Sequence, residues 1–229
     1  MRRHIGPLLR RLQSSRSFGF VFLFILAIYA FVAAAPDEAW PQAVLVLLLA
    51  INLAVALWTS AIPGPIDKFA VALVAIGSAG ATLQLLTGGS TATGMLGLFD
   101  VLLVAVTCAV IVRGIQDEHG VNVQSVLGAL CIYLLIGMLY TFAYGAIAGL
   151  ESGPFFAQGT EGTPSIRLYF SVVSLATVGY GDYTAATDLG RSVAASEGLL
   201  GQIYLVTVVA VIVSRLRPGR SARPTEQEQ

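Results

Sequence analysis

Long apolar stretches separated by short polar joints dominate the chain. They run over Phe18–Ala35, Gln42–Ile62, Phe69–Leu86, Met95–Val112, Val126–Leu150 and Ser192–Ser214. Each is close to the ~20 residues that a helix needs to cross the hydrocarbon core of a bilayer. The pattern changes between the fifth and sixth stretches. A loop over Glu151–Thr163 leads into Pro164–Ala176, where Leu168, Tyr169, Val172 and Val173 recur at helical spacing. Thr163-Pro164 reads as an N-cap followed by proline at the first helical position. A short re-entrant helix is therefore expected, running into the glycine-containing segment Thr177–Asp182. The predicted fold class is an all-α membrane protein: six transmembrane helices plus one re-entrant helix and its loop.

Composition supports the membrane setting. The chain is 56% hydrophobic and 11% charged, against about 25% charged residues in a soluble domain. A net charge of zero argues against a nucleic-acid partner. Cys108 and Cys131 sit inside apolar stretches and read as small buried hydrophobes. With the N-terminus in the cytoplasm, only Arg167 and Arg191 of the 13 basic residues fall outside, as the positive-inside rule requires. This predicts a multi-pass plasma-membrane protein with both termini cytoplasmic. The first stretch, with Ala33-Ala34-Ala35 at its end, superficially resembles a signal peptide. Its length and Pro36 directly after the alanines favour a membrane span.

The longest polar interruption, Arg113–Gln124, divides the chain. The expected units are a basic N-terminus (1–17), a four-helix membrane module (18–112), a cytoplasmic linker (113–125), a second membrane module (126–215) and a basic-then-acidic tail (216–229) suited to lipid headgroups. A voltage-sensing fourth helix needs arginine at every third position. Met95–Val112 has none and carries Asp100 instead. His4 and His119 lie in polar stretches, and no nucleophile–base pattern or metal-ligand spacing accompanies them, so neither an enzyme nor a bound cofactor is expected. An acid inside a span is costly, which makes Glu197 a candidate functional residue. Helical spacing places it on one face with Gly201. That face either lines a cavity or packs behind the re-entrant helix near Val173.

The segment Thr177-Val178-Gly179-Tyr180-Gly181-Asp182 matches the filter signature of potassium channels, in which carbonyl oxygens from four loops replace the hydration shell of the ion. Carbonyls face one axis only if the backbone alternates between ordinary and left-handed conformations, and Gly179 and Gly181 reach the latter without a Cβ penalty. From Val126 to Arg215 the chain resembles the pore module of the bacterial potassium channel family, with Leu189-Gly190-Arg191 matching the start of the inner helix. The resemblance implies a homotetrameric, K+-selective channel embedded in lipid, with K+ as the permeant ion at Thr177, Val178, Gly179 and Tyr180 and with Gly181 completing the filter. It further implies that Asp182 and Tyr169 brace the filter, that Val173 stands where some members carry a glutamate behind it, and that Gly201 marks the inner-helix hinge. An alternative is a membrane sensor whose four-helix module binds lipid or a ligand and regulates the pore.

Overall fold

A computed structural model of the protein describes residues 18–36, 40–60, 75, 90–116 and 123–216. The expected third span, Phe69–Leu86, lies outside the described residues apart from position 75, as do the terminal segments and His119. The described chain is helical: α1 (Phe18–Ala34), α2 (Trp40–Ser60), α3 (Ser90–Gln116), α4 (Val123–Leu150), α5 (Pro164–Leu175) and α6 (Asp188–Leu216). Among the described residues there is no strand, only isolated bridges from Phe156 to Thr160 and Ala185. The bounds follow the apolar stretches closely because continuous runs of Leu, Val, Ile and Ala can satisfy their backbone inside lipid only as helices.

Among the described residues, three helices are long and apolar enough to cross a membrane: α2, the Gly94–Gln116 part of α3, and α4. α1 is apolar but has only 17 residues. α6 spans 29 residues and carries Ser196, Glu197 and Gln202 within its apolar run. A helix that meets lipid on every side cannot carry such groups, whereas one facing protein or an aqueous path can.

The larger hydrophobic cluster among the described residues draws on both halves of the chain. α1 contributes Phe18, Val21, Ile25, Ile28 and Val32, at alternating spacings of three and four. α4 answers with Cys131, Leu135, Met138 and Phe142, α3 adds Leu103, Val104, Val110 and Ile111, and Leu168 of α5 joins the same cluster. Polar contacts reinforce this packing. Tyr29 Oη donates to the Leu134 carbonyl at 2.6 Å, and Ser165 Oγ of α5 donates to the Ala33 carbonyl at 3.1 Å. α3 and α4 pack closely at Gly97, where a Cβ would stand 2.9 Å from Ala146 N. The N-terminal helices thus lie directly against α4 and α5.

The loop before α5 is less polar in structure than in sequence. Phe155 and Phe156 are buried and pack with Tyr144 and Phe170. Their backbone is tied to the segment after the glycines, with Ala186 N donating to Phe155 O and Ala157 N to Thr184 O, both at 2.8 Å. This clamp sets where the Thr177–Asp182 segment leaves and rejoins the helical frame.

Candidate functional site

The re-entrant helix starts as its sequence predicts. Thr163 is the N-cap, its hydroxyl accepting from Ile166 N, with proline in the first turn. Arg167 Nη1 donates to the Gly162 carbonyl at 2.6 Å, fixing the entry. At the other end the chain turns sharply. Thr177 N donates to Ser174 O and Val178 N to Val173 O, both at 2.9 Å, while Gly179 N reaches Val173 O at a longer 3.4 Å. The Val173 carbonyl therefore anchors the segment to the helix that precedes it.

Thr177, Gly179 and Gly181 adopt φ of +54°, +58° and +78°. Every second residue is left-handed, the alternation that lets successive carbonyls face one side. At Gly179 and Gly181 this conformation carries no side-chain penalty. At Thr177 it does, since a β-branched residue at positive φ is an outlier costing roughly 1–3 kcal/mol. Nothing in the residue pattern marks Thr177 as strained. Val178 and Tyr180 lie between them, 51% and 71% exposed in the single protomer.

Tyr169 and Asp182 flank the C-terminal end of this segment. Tyr169 Oη donates to Asp182 Oδ2 at 2.8 Å, and the Tyr169 ring lies parallel to that of Tyr180 with centroids 6.5 Å apart. The bond to the carboxylate pushes the Tyr169 phenol up to about 12, so it remains a donor at any physiological pH.

Of the two positions open to Glu197, the structure takes the one behind the re-entrant helix. Glu197 is fully buried, and its partners are Tyr144 of α4 and Ser171 of α5. Tyr144 Oη donates to Glu197 Oε2 at 2.5 Å. Ser171 Oγ lies 2.5 Å from Glu197 Oε1 and 2.6 Å from the Gly137 carbonyl. A serine has one hydroxyl proton for these two oxygens. Both contacts are satisfied together when the carboxyl carries a proton, which also avoids an unpaired charge at this depth. The acid thus joins α4, α5 and α6 at one point.

Gly201 serves close packing. α6 is continuously helical through it, and a Cβ there would run into the Leu175 carbonyl at the end of α5. Gly201→Ala should therefore force α6 away from α5 and cost about 1–3 kcal/mol. A lower thermal midpoint in detergent would show it, and an unchanged midpoint would mean the helices meet less closely.

Asp100 of α3 is fully buried, and Gln42 Nε2 donates to its Oδ2 at 2.6 Å. It lines a cavity of about 30 Å³ together with Gly145 and Arg167. The fourth apolar stretch thus holds a buried acid five residues after its start at Met95, and the basic residue Arg113 lies in the last turn of α3.

Sequence reasoning missed Gln202. Its Nε2 donates to Thr177 Oγ1 at 3.0 Å, bringing α6 to the inner end of the glycine segment. The available signal was a lone amide in an otherwise apolar stretch, next to the already noted Gly201.

Residues 128–217 match the family model described as an ion channel. The inward rectifier potassium channel Kirbac3.1 of Paramagnetospirillum magnetotacticum is 30% identical over 114 residues, covering 49% of this chain and 37% of that protein. This chain therefore spans little more than a third of the length of that relative. No solved structure matches. Residues 128–217 are thus similar in sequence to the ion-channel family, and among the described residues there are apolar helices long enough to span a membrane.

Proposed function

We propose that the protein is a K+-selective channel of the plasma membrane, assembled as a homotetramer with both termini in the cytoplasm and not gated by a conventional voltage sensor. One observation carries the reading: the left-handed backbone at every second residue of Thr177–Gly181. One protomer supplies one strand of carbonyls, and an ion must be surrounded, so four copies complete the ring. The exposed apolar side chains Leu199, Ile203 and Val206 on α6 supply a face for neighbouring copies. Liposomes containing the purified protein should take up radioactive rubidium against a K+ gradient, and excess external Na+ should not compete. Uptake that Na+ abolishes would reject the proposal.

The absence of an arginine ladder and the buried Asp100 of α3 support voltage independence. Charge moved through the field is what makes opening steep, and α3 has no basic residue to move before Arg113. Conductance should vary only shallowly with potential in planar bilayers. A steep sigmoidal curve would contradict this.

The second reading, a lipid- or ligand-responsive N-terminal module that sets pore opening, is compatible with the first. It is favoured by the contact of α1 with α5 through Ser165 and Ala33. Ser165→Ala should then alter open probability without altering ion selectivity. An unchanged open probability would leave α1 with packing alone.

A further inference from the structure

Within a filter of this kind most oxygens belong to the backbone, and their directions follow from φ and ψ. The hydroxyl of Thr177 is different, because it turns about χ1 and nothing in the filter backbone fixes it. Thr177 is also the strained residue of the segment, at φ +54°. Something outside the filter must hold this side chain if its oxygen is to face an ion.

The structure supplies that restraint from α6. Without a Cβ at Gly201, α6 lies against the Leu175 carbonyl, and the next residue reaches the base of the filter. Gln202 Nε2 donates to Thr177 Oγ1 at 3.0 Å. One lone pair of the hydroxyl is engaged by the amide, which leaves the second for a cation. We infer that Gln202 is a positioning residue for the innermost cation site, holding the Thr177 hydroxyl in the orientation that a dehydrated ion requires. A ligand fixed in advance binds more tightly than one ordered by the ion on arrival. The ligand class is a dehydrated monovalent cation of K+ size, or a divalent cation of similar radius. The inference rests on the reading of the protein as a K+ channel.

Ba2+ is the probe, since it is close to K+ in size, carries twice the charge and responds strongly to the field of each oxygen. The full-length protein is reconstituted in planar bilayers, and K+ current and block by Ba2+ are measured for wild type, Gln202→Leu and Gln202→Met. Methionine keeps the length and flexibility of glutamine without its donor. Both variants should remain K+-selective and bind Ba2+ about tenfold more weakly, the effect of one lost hydrogen bond to a ligand group. In a Thr177→Val background, which lacks the hydroxyl, Gln202→Leu should produce no further change. A merely structural role for Gln202 would not vanish in that background. If wild type conducts K+ but block in both variants is unchanged or tighter, the inference fails and the channel reading stands. If neither variant assembles, Gln202 is a folding residue and the inference also fails. If wild type passes no K+, the channel reading itself is wrong and the inference falls with it.

Discussion

Replacing Gly179 with alanine is expected to abolish selective K+ flux while leaving the protomer folded. The added methyl meets nothing within 4 Å in the protomer, so crowding within one copy is not the cause. The cause is backbone conformation: φ is +58° at this position, and a Cβ there costs roughly 1–2 kcal/mol in each copy. Thr177 bears a similar penalty but is held by a 2.9 Å backbone bond to Ser174 and by Gln202. Gly179 has only the 3.4 Å bond to Val173, too weak to keep a strained residue in place. An alanine there relaxes by turning its peptide, which swings a carbonyl off the axis in every protomer. Flux assays on liposomes should show loss of K+ selectivity with near-normal yield of folded protein. Wild-type selectivity in Gly179→Ala would mean that the left-handed conformation is not needed.

The second large effect is expected at Glu197, with a contrast between two substitutions. Glu197→Ala removes the partner of Tyr144 and Ser171 and leaves a buried void, a loss of roughly 3 kcal/mol in stability. Glu197→Gln should cost within about 1 kcal/mol, because its amide oxygen accepts from Tyr144 and its N–H occupies the place of the carboxyl proton beside Ser171. Thermal unfolding of both variants in the same detergent checks this. Equal losses would show that the ionised carboxylate is the species the site needs. Flux should follow the same order, since Ser171 belongs to the helix that carries the filter.

Legibility from sequence was uneven, and the reason is physical. Element positions were plain, because lipid demands long apolar helices and Thr163-Pro164 marks the start of α5 unambiguously. Gly179 and Gly181 were equally plain, since their left-handed φ has a residue-level signature. Which face of each helix is buried was hidden. α1 buries Val21, Ile25 and Ile28 but exposes Phe20, Leu23 and Leu26, and these sets are equally apolar. In water a polar face would have separated them, whereas lipid is as apolar as the core. The packing of α1 against α5 was invisible for that reason, and so was the burial of Phe155 and Phe156 in a loop. Glu197 announced itself as a buried acid, but Tyr144 and Ser171 could be named only once three helices were placed together. Gln202 was passed over because the more conspicuous acid lay one and a half turns away.

The most direct test of the central claim is the reversal potential of the reconstituted wild-type protein, with K+ on one side of a planar bilayer and an equal concentration of Na+ on the other. A selective filter predicts displacement from zero by about 59 mV for each tenfold preference, in the direction set by K+ leaving its own compartment, and by at least twice that for an intact Thr177–Gly181 segment. A reversal potential at zero would mean that Na+ passes as readily as K+, and would contradict the reading of that segment as a potassium filter.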